Sequence, residues 1–325
     1  MRMDGRVLKA GLFALCGVTA VLVAAVVLPH GASAYVRRAE YHASTQEIAR
    51  LAQSDPELSD RYLLSCMALL TVNRPRAALA ACNRAVAADP RDTDALKTRG
   101  GILLVLGDDE RAGVDFSIAI AREPQNPDGY DLRGRAFFGM GRFDEAIADF
   151  GTAVRLDPRD SDALSDRATV YQELRRYEAA IADFGAAIAA DPGNAALWNG
   201  RCWVRMLASR QLGAALADCN RAVRLDPERD DVRDSLGWLW LRLGNPRAAL
   251  ANFNVALDLS PRLASSRYGR GIARLAIGDV AGGNADIRVA VAVEPGIAAR
   301  FRSYGFVPRV PLPRPIPRPD WEHAT

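Results

Sequence analysis

Prolines punctuate this chain at 56, 90, 124, 158, 192, 227, 261 and 295, at intervals of 34 residues with a single interval of 35. An acidic residue precedes all but one of them: Asp55, Asp89, Glu123, Asp157, Asp191, Asp226 and Glu294, with Ser260 the exception. A fixed period of this size marks a solenoid, in which short units stack and bury a core between neighbours. Sparse aromatics and abundant alanine favour closely packed helices over sheet.

Each unit divides into two amphipathic helices. In the third, Tyr130, Gly134 and Phe137 share one face at helical spacing, and Gly141 makes the turn. Ala146, Phe150 and Ala153 then line a second helix, which Pro158 stops. The pattern resembles the tetratricopeptide repeat family in its 34-residue length, its small residues at Gly134, Ala146 and Ala153, its aromatics at Phe137 and Phe150, and Pro158. It recurs over 59–92, 93–126, 127–160, 161–194, 195–229, 230–263 and 264–297. The expected fold is all-α, a right-handed superhelical solenoid of about seven helix-turn-helix repeats. Residues 35–58 read as an N-terminal capping helix, and 298–325 as a short capping helix followed by an extended tail. Arg205, Arg233, Arg267 and Arg274 stand in leucine or aromatic slots, so units five to seven are expected to pack less regularly.

Comparing the repeats with one another exposes two covariations. Arg99, Arg133, Arg167, Arg201 and Arg270 share one slot of the first helix, and Asp115, Asp149, Asp183, Asp218 and Asp286 share one slot of the second. The two units that lack the arginine, with Ser65 and Leu236, also lack the aspartate and carry Ala81 and Asn252. Around the turn these slots face each other in an antiparallel hairpin. Five ion pairs within repeats follow, their role being to specify register more than to stabilise.

The second covariation involves cysteine. Residues 81–86 read ACNRAV and residues 218–223 read DCNRAV, each with cysteine where unit three has Phe150. Cys66 and Cys202 occupy the opposing slot of Gly134. Two disulfides, Cys66–Cys82 and Cys202–Cys219, are one reading. Four buried free thiols acting as small hydrophobes are the other. Placement at both ends of both hairpins favours bridges, as does the N-terminus. There Arg2, Arg6 and Lys9 precede an uncharged run, Ala10–Leu28, followed by Pro29-His30-Gly31 and the small residues Ala32-Ser33-Ala34. Residues 1–34 therefore read as a secretory signal cleaved after Ala34, or as an uncleaved membrane anchor through residues 10–28. Export to a bacterial periplasm, an oxidising compartment, is expected. Attachment to the inner membrane is the alternative.

Little chemistry is on offer. The three histidines, His30, His42 and His323, all lie outside the repeats, and no phosphate-binding loop occurs. Neither catalysis, a cofactor nor a metal site is expected. A net charge of +3 with arginine and aspartate interleaved leaves no nucleic-acid footprint. The family resemblance implies a concave groove, lined by first helices, that holds a peptide or another protein. Residues just after the small slot would face it: Met67, Gly101, Arg135, Thr169, Trp203, Trp238 and Ile272. Trp203 and Trp238 are the expected anchors, with Met206, Leu207, Leu241 and Phe138 one turn further along; packing between repeats is the competing fate for both tryptophans. An accessory cell-wall carbohydrate binder using them as stacking platforms, or a membrane-tethered assembly factor of an envelope complex, are alternative readings. The tail VPRVPLPRPIPRP is an extended polyproline run edged by Arg309, Arg314 and Arg318, suited to docking or to spacing. Nothing in the sequence sets the oligomeric state.

Overall fold

The computed structural model describes residues 58–308, which form fifteen α-helices and, among those residues, no strand. Fourteen helices pair as hairpins: α1 (Leu58–Thr71) with α2 (Pro75–Ala88), α3 (Thr93–Val105) with α4 (Asp109–Arg122), α5 (Pro127–Gly139) with α6 (Phe143–Leu156), and α7 (Ser161–Glu173) with α8 (Tyr177–Ala190). Then come α9 (Ala195–Ala208) with α10 (Leu212–Leu225), α11 (Asp230–Arg242) with α12 (Pro246–Leu259), and α13 (Ala264–Ile277) with α14 (Val280–Val293). A short α15 (Ile297–Ser303) ends the series. The fold class is an all-α superhelical repeat. The predicted N-terminal signal, the capping helix up to residue 57 and the tail from 309 lie outside the described residues.

The segment between hairpins carries a stop and a start within a few residues. Asp89 ends α2, its backbone N–H donating to the Ala85 carbonyl, and Pro90 prevents continuation. Two residues on, the Asp92 carboxylate accepts from the N–H groups of Asp94 and Ala95, capping α3. Asn126, Asp160 and Asn194 cap α5, α7 and α9 from the same place. Inside each hairpin the turn needs a left-handed residue. Gly107, Gly141, Gly244 and Gly278 supply it, with φ from 71° to 94°, while Asn73, Arg175 and Ser209 adopt φ of 54° to 55° at the corresponding turns. The 35-residue repeat has a second such residue, Gln211, in the turn from α9 to α10.

The core repeats as the chain does. Ala78, Ala112, Ala146, Ala180, Ala215 and Ala249 stand in one slot of the second helices and are wholly buried, so adjacent helices approach closely. Between such alanines Phe116, Phe150 and Phe253 fill the hairpin. A methyl group on Gly134 would come within 2.8 Å of the Phe150 ring, which explains why the opposing slot is small. Two compact units divide inside α9, one running to Gly200 and the other from Arg201.

Candidate interaction faces

All five arginine–aspartate slots are in contact, each as a two-pronged pair. Arg133 donates from Nε and Nη2 to the Asp149 carboxylate at 2.7 and 2.9 Å. Arg99–Asp115, Arg167–Asp183, Arg201–Asp218 and Arg270–Asp286 repeat that geometry at 2.6 to 2.9 Å. The aspartates are buried and the arginines partly so. Three of the arginines also reach back sixteen residues to the second helix of the preceding repeat: Arg99 to Asn83, Arg133 to Ser117 and Arg270 to Asn254. The pair thus closes its own hairpin and ties it to its neighbour, a second duty that comparison of slots did not reveal. Its five donors in a fixed fork suit arginine to this task and exclude lysine.

The cysteines occupy the small and aromatic slots of two hairpins. Cys66 and Cys82 lie with Cα atoms 5.4 Å apart and their sulfurs bonded, and Cys202 and Cys219 do the same at 5.4 Å. Each pair stands where Gly134 and Phe150 touch in the third repeat.

Three of the four arginines in apolar slots, Arg205, Arg267 and Arg274, have partners. Arg205 and Arg274 occupy one slot, and each adds a second cation to the aspartate of its own repeat, Asp218 and Asp286. Arg267 donates to the carbonyl of Pro261 six residues earlier; Tyr130 and Trp198 serve Pro124 and Pro192 in the same way. Three different side chains thereby satisfy one repeated backbone acceptor, and Arg205, Arg267 and Arg274 bring no unpaired charge into their repeats; at Arg233, in the slot of Arg267, the buried Nε has no hydrogen-bond partner.

In the first unit only Arg135 of the row after the small slot is charged, but a cluster of charged side chains lies beside that row. Arg135 reaches Asp131 on its own helix at 2.9 Å and Asp166 on α7 at 2.7 Å. Lys97 on α3 has Asp94 at 3.2 Å, Glu123 at 3.8 Å and Asp128 at 3.9 Å. Five carboxylates therefore surround two cations. Burial raises the Asp131 and Asp166 carboxyls above the usual range, their neighbours' charge adds to it, and Arg135 pulls back. One Asp131 oxygen, Oδ1, has no hydrogen-bond partner. Phe138 is half-buried and packs its ring 5.8 Å from that of Phe143.

In the second unit the same row is aromatic, and here two expectations are corrected. Trp238 and Met206 are wholly buried, not exposed groove anchors. Phe301 of α15 stacks on Trp238 with ring centres 3.8 Å apart and planes 11° from parallel, and Phe306 approaches it to 4.7 Å. Met206 belongs to the core cluster around Cys202, Cys219 and Phe253. Trp203 is half-buried, with Tyr304 edge-on at 6.0 Å, while Leu207 and Leu241 flank the same cluster. With Trp238 covered, the carbohydrate reading loses one of its two stacking platforms.

Comparison with known proteins agrees with the repeat geometry. Residues 67–127 and 137–201 match tetratricopeptide repeat family models. Over those two segments the chain is similar to the tetratricopeptide repeat family. No curated protein matches it in sequence. Among solved structures, a tetratricopeptide repeat protein from Parabacteroides merdae superposes with TM-score 0.62 at 16% identity, covering 77% of this chain and all of that one. PilW, a type IV pilus biogenesis factor, gives 0.59 at 21% over 66% of this chain and 98% of its own. A chain of the APC/C hetero-tetramer Cut9–Hcn1 gives 0.61 at 18% over 72%, although only 45% of that longer chain is spanned. At such identities the likeness is one of fold alone.

One network between α11 and α13 escaped the sequence reading. Ser265 and Ser266 on α13 each donate to the Asp234 carboxylate on α11 at 2.6 Å, and the Trp238 Nε1–H donates to Ser265 at 3.0 Å. Burial pushes Asp234 up to about 6, and the hydrogen bonds from both serines and Trp238 oppose the shift. A polar residue in the repeat position of Asp131 and Lys97 was the available signal, since Asp234 shares that slot.

Proposed function

We propose that this protein is a non-catalytic scaffold that holds another protein or a peptide along its first helices, outside the cytoplasm. The observation that carries this is the charged cluster on α3, α5 and α7. Its carboxylates around Lys97 and Arg135 lie outside the slots that close each hairpin, although Glu123 also accepts from Thr93 and from the Asn126 amide. Surplus negative charge on a partly buried face favours a basic partner segment. Support from kinship is general: tetratricopeptide repeats are typically interaction modules and not enzymes.

Asp94→Asn/Asp128→Asn, which removes two of the negative charges, tests the reading. Wild-type and variant chains of equal thermal stability would be used to capture partners from a cell-envelope extract. A defined protein retained by the wild type and lost from the variant is expected; a capture indifferent to the substitution would overturn the assignment to this face.

Location rests on Ala10–Leu28 with its small-residue site, and on the two cysteine pairs. The intact mass of the chain expressed with its own N-terminus, with and without reductant, tests it. A chain starting at Tyr35 that gains four hydrogens on reduction fits export and cleavage. An uncleaved oxidised chain fits a membrane-tethered assembly factor instead, and free thiols would overturn both.

A further inference from the structure

The aromatic row of the second unit is occupied by the chain's own C-terminal segment. Phe301 lies flat on Trp238, Tyr304 meets Trp203 edge-on, and Phe306 returns to Trp238. Arg242 clamps the segment from the receptor side: its Nη2 donates to the Tyr304 carbonyl, and its guanidinium covers the Phe306 ring at 4.3 Å. Gly305, with φ of 84°, turns the backbone so that Phe306 points back at the same tryptophan. Aromatic side chains at i, i+3 and i+5 with a clamped carbonyl are the contacts of a bound peptide, not those of an eighth repeat.

Two properties make this occupant separable. All seven hairpins are complete without it, and no later described helix packs over it, so its departure opens no hairpin. Its helix has seven residues, too short to persist in water without the face it covers. The face does not depend on it for orientation either, because Trp238 is held from the other side by Ser265, itself bound to Asp234.

We propose that residues 301–306 are an internal placeholder, and that the face built by Trp203, Trp238, Arg242, Tyr268 and Ile272 is a binding site for a partner peptide bearing aromatic side chains at i, i+3 and i+5. The site opens when the chain's own segment steps aside. This rests on the scaffold reading and names a partner chemistry for a face distinct from the charged cluster.

The test uses the full chain and a fluorescein-labelled peptide of sequence IAARFRSYGFVP, followed by anisotropy. The Phe301→Ala/Phe306→Ala variant should bind it at least about tenfold more tightly than the wild type, whose own segment competes. A peptide with its three aromatics replaced by alanine should not bind. A variant of native helicity that fails to distinguish the two peptides overturns the proposal. Should that variant not fold, hydrogen exchange on the unsubstituted chain decides. Amides of 301–306 exchanging about tenfold faster than those of α13 and α14 show separate opening. Equal rates make the segment a fixed cap and overturn it. Failure of the peptide to bind, alongside capture of a partner that depends on Asp94 and Asp128, would overturn this proposal and leave the scaffold reading standing; the reverse result would confine recognition to the aromatic face.

Discussion

The two units run the same hairpin and differ on one row. Up to Gly200 the residues after the small slot are Met67, Gly101, Arg135 and Thr169, with Lys97, Asp131 and Asp166 close by; from Arg201 they are Trp203, Trp238 and Ile272. Slots that face the partner helix within a hairpin change little between units, as the buried alanines and the arginine–aspartate pairs show. The slots that build the hairpin and the row that differs between units are thus separate positions of one repeat. A charged cluster can face water uncovered, because hydration and mutual pairing satisfy it. An aromatic row of this size cannot, since exposed apolar surface of this extent seeks cover. The chain supplies that cover in α15 and the residues after it.

The largest expected effect breaks the comparison on its aromatic side. Trp238→Ala removes a wholly buried ring stacked on Phe301 and should destabilise the second unit by about 3–5 kcal/mol in urea unfolding followed by circular dichroism. Half-buried Trp203→Ala should cost clearly less. Equal costs would mean that the segment shields both rings alike, and that the face is simply core.

The cysteine pairs offer a matched probe, one in each unit. Their sequence separations are 16 and 17, so Cys66→Ala/Cys82→Ala and Cys202→Ala/Cys219→Ala should each cost about 3 kcal/mol by loop closure. Similar losses in guanidinium unfolding place the difference between the units outside the hairpins. A much larger loss in the second unit would instead tie the aromatic row to its cysteine pair.

Why the hairpins were legible and the aromatic row was not has a physical cause. Repeats sample the same environment many times, so the arginine–aspartate contact could be read from slots that change together, and the turn from one recurring glycine. The fate of Trp238 depends on Phe301, which lies beyond the last repeat and has no equivalent elsewhere in the chain. No internal comparison can report a contact made once. The Asp234–Ser265–Ser266 network was hidden for the same reason. Arg267 was misjudged for another: its slot is leucine or aromatic in the first five repeats, but the acceptor beneath it is a proline carbonyl, which serves guanidinium, indole or phenol equally.

Acid titration sharpens the contrast between rows. Burial raises Asp234 to about 6 in the folded chain, so its neutral form is favoured. Its contribution to stability is complete below the unfolded carboxyl value and is lost as pH rises through 6. Against an Asp234→Asn variant the wild type should therefore lose about 2 kcal/mol between pH 4 and 6. In the first unit Asp131 is raised to about 8, with burial leading and Arg135 opposing, so the same loss continues to higher pH. Asp131→Asn should flatten stability between pH 6 and 8 and Asp234→Asn should not. If both variants flatten the same window, the two rows do not titrate as separate sites.

The smallest effect serves as the control. Arg175 in the first unit and Ser209 in the second hold the left-handed turn position that glycine fills in four other hairpins. Replacing either with glycine relieves backbone strain but adds freedom to the unfolded chain, leaving a gain of about 0.5 kcal/mol. Equal gains at Arg175→Gly and Ser209→Gly, read from urea midpoints, would show that the hairpin scaffold is the same on both sides of Gly200. A gain only at Arg175 would locate a scaffold difference in the 35-residue repeat, where Gln211 holds a second left-handed conformation two residues beyond Ser209. Relief at one strained residue would then leave the other to keep the turn as it is, and the contrast between the units would begin in the backbone before it reaches the aromatic row.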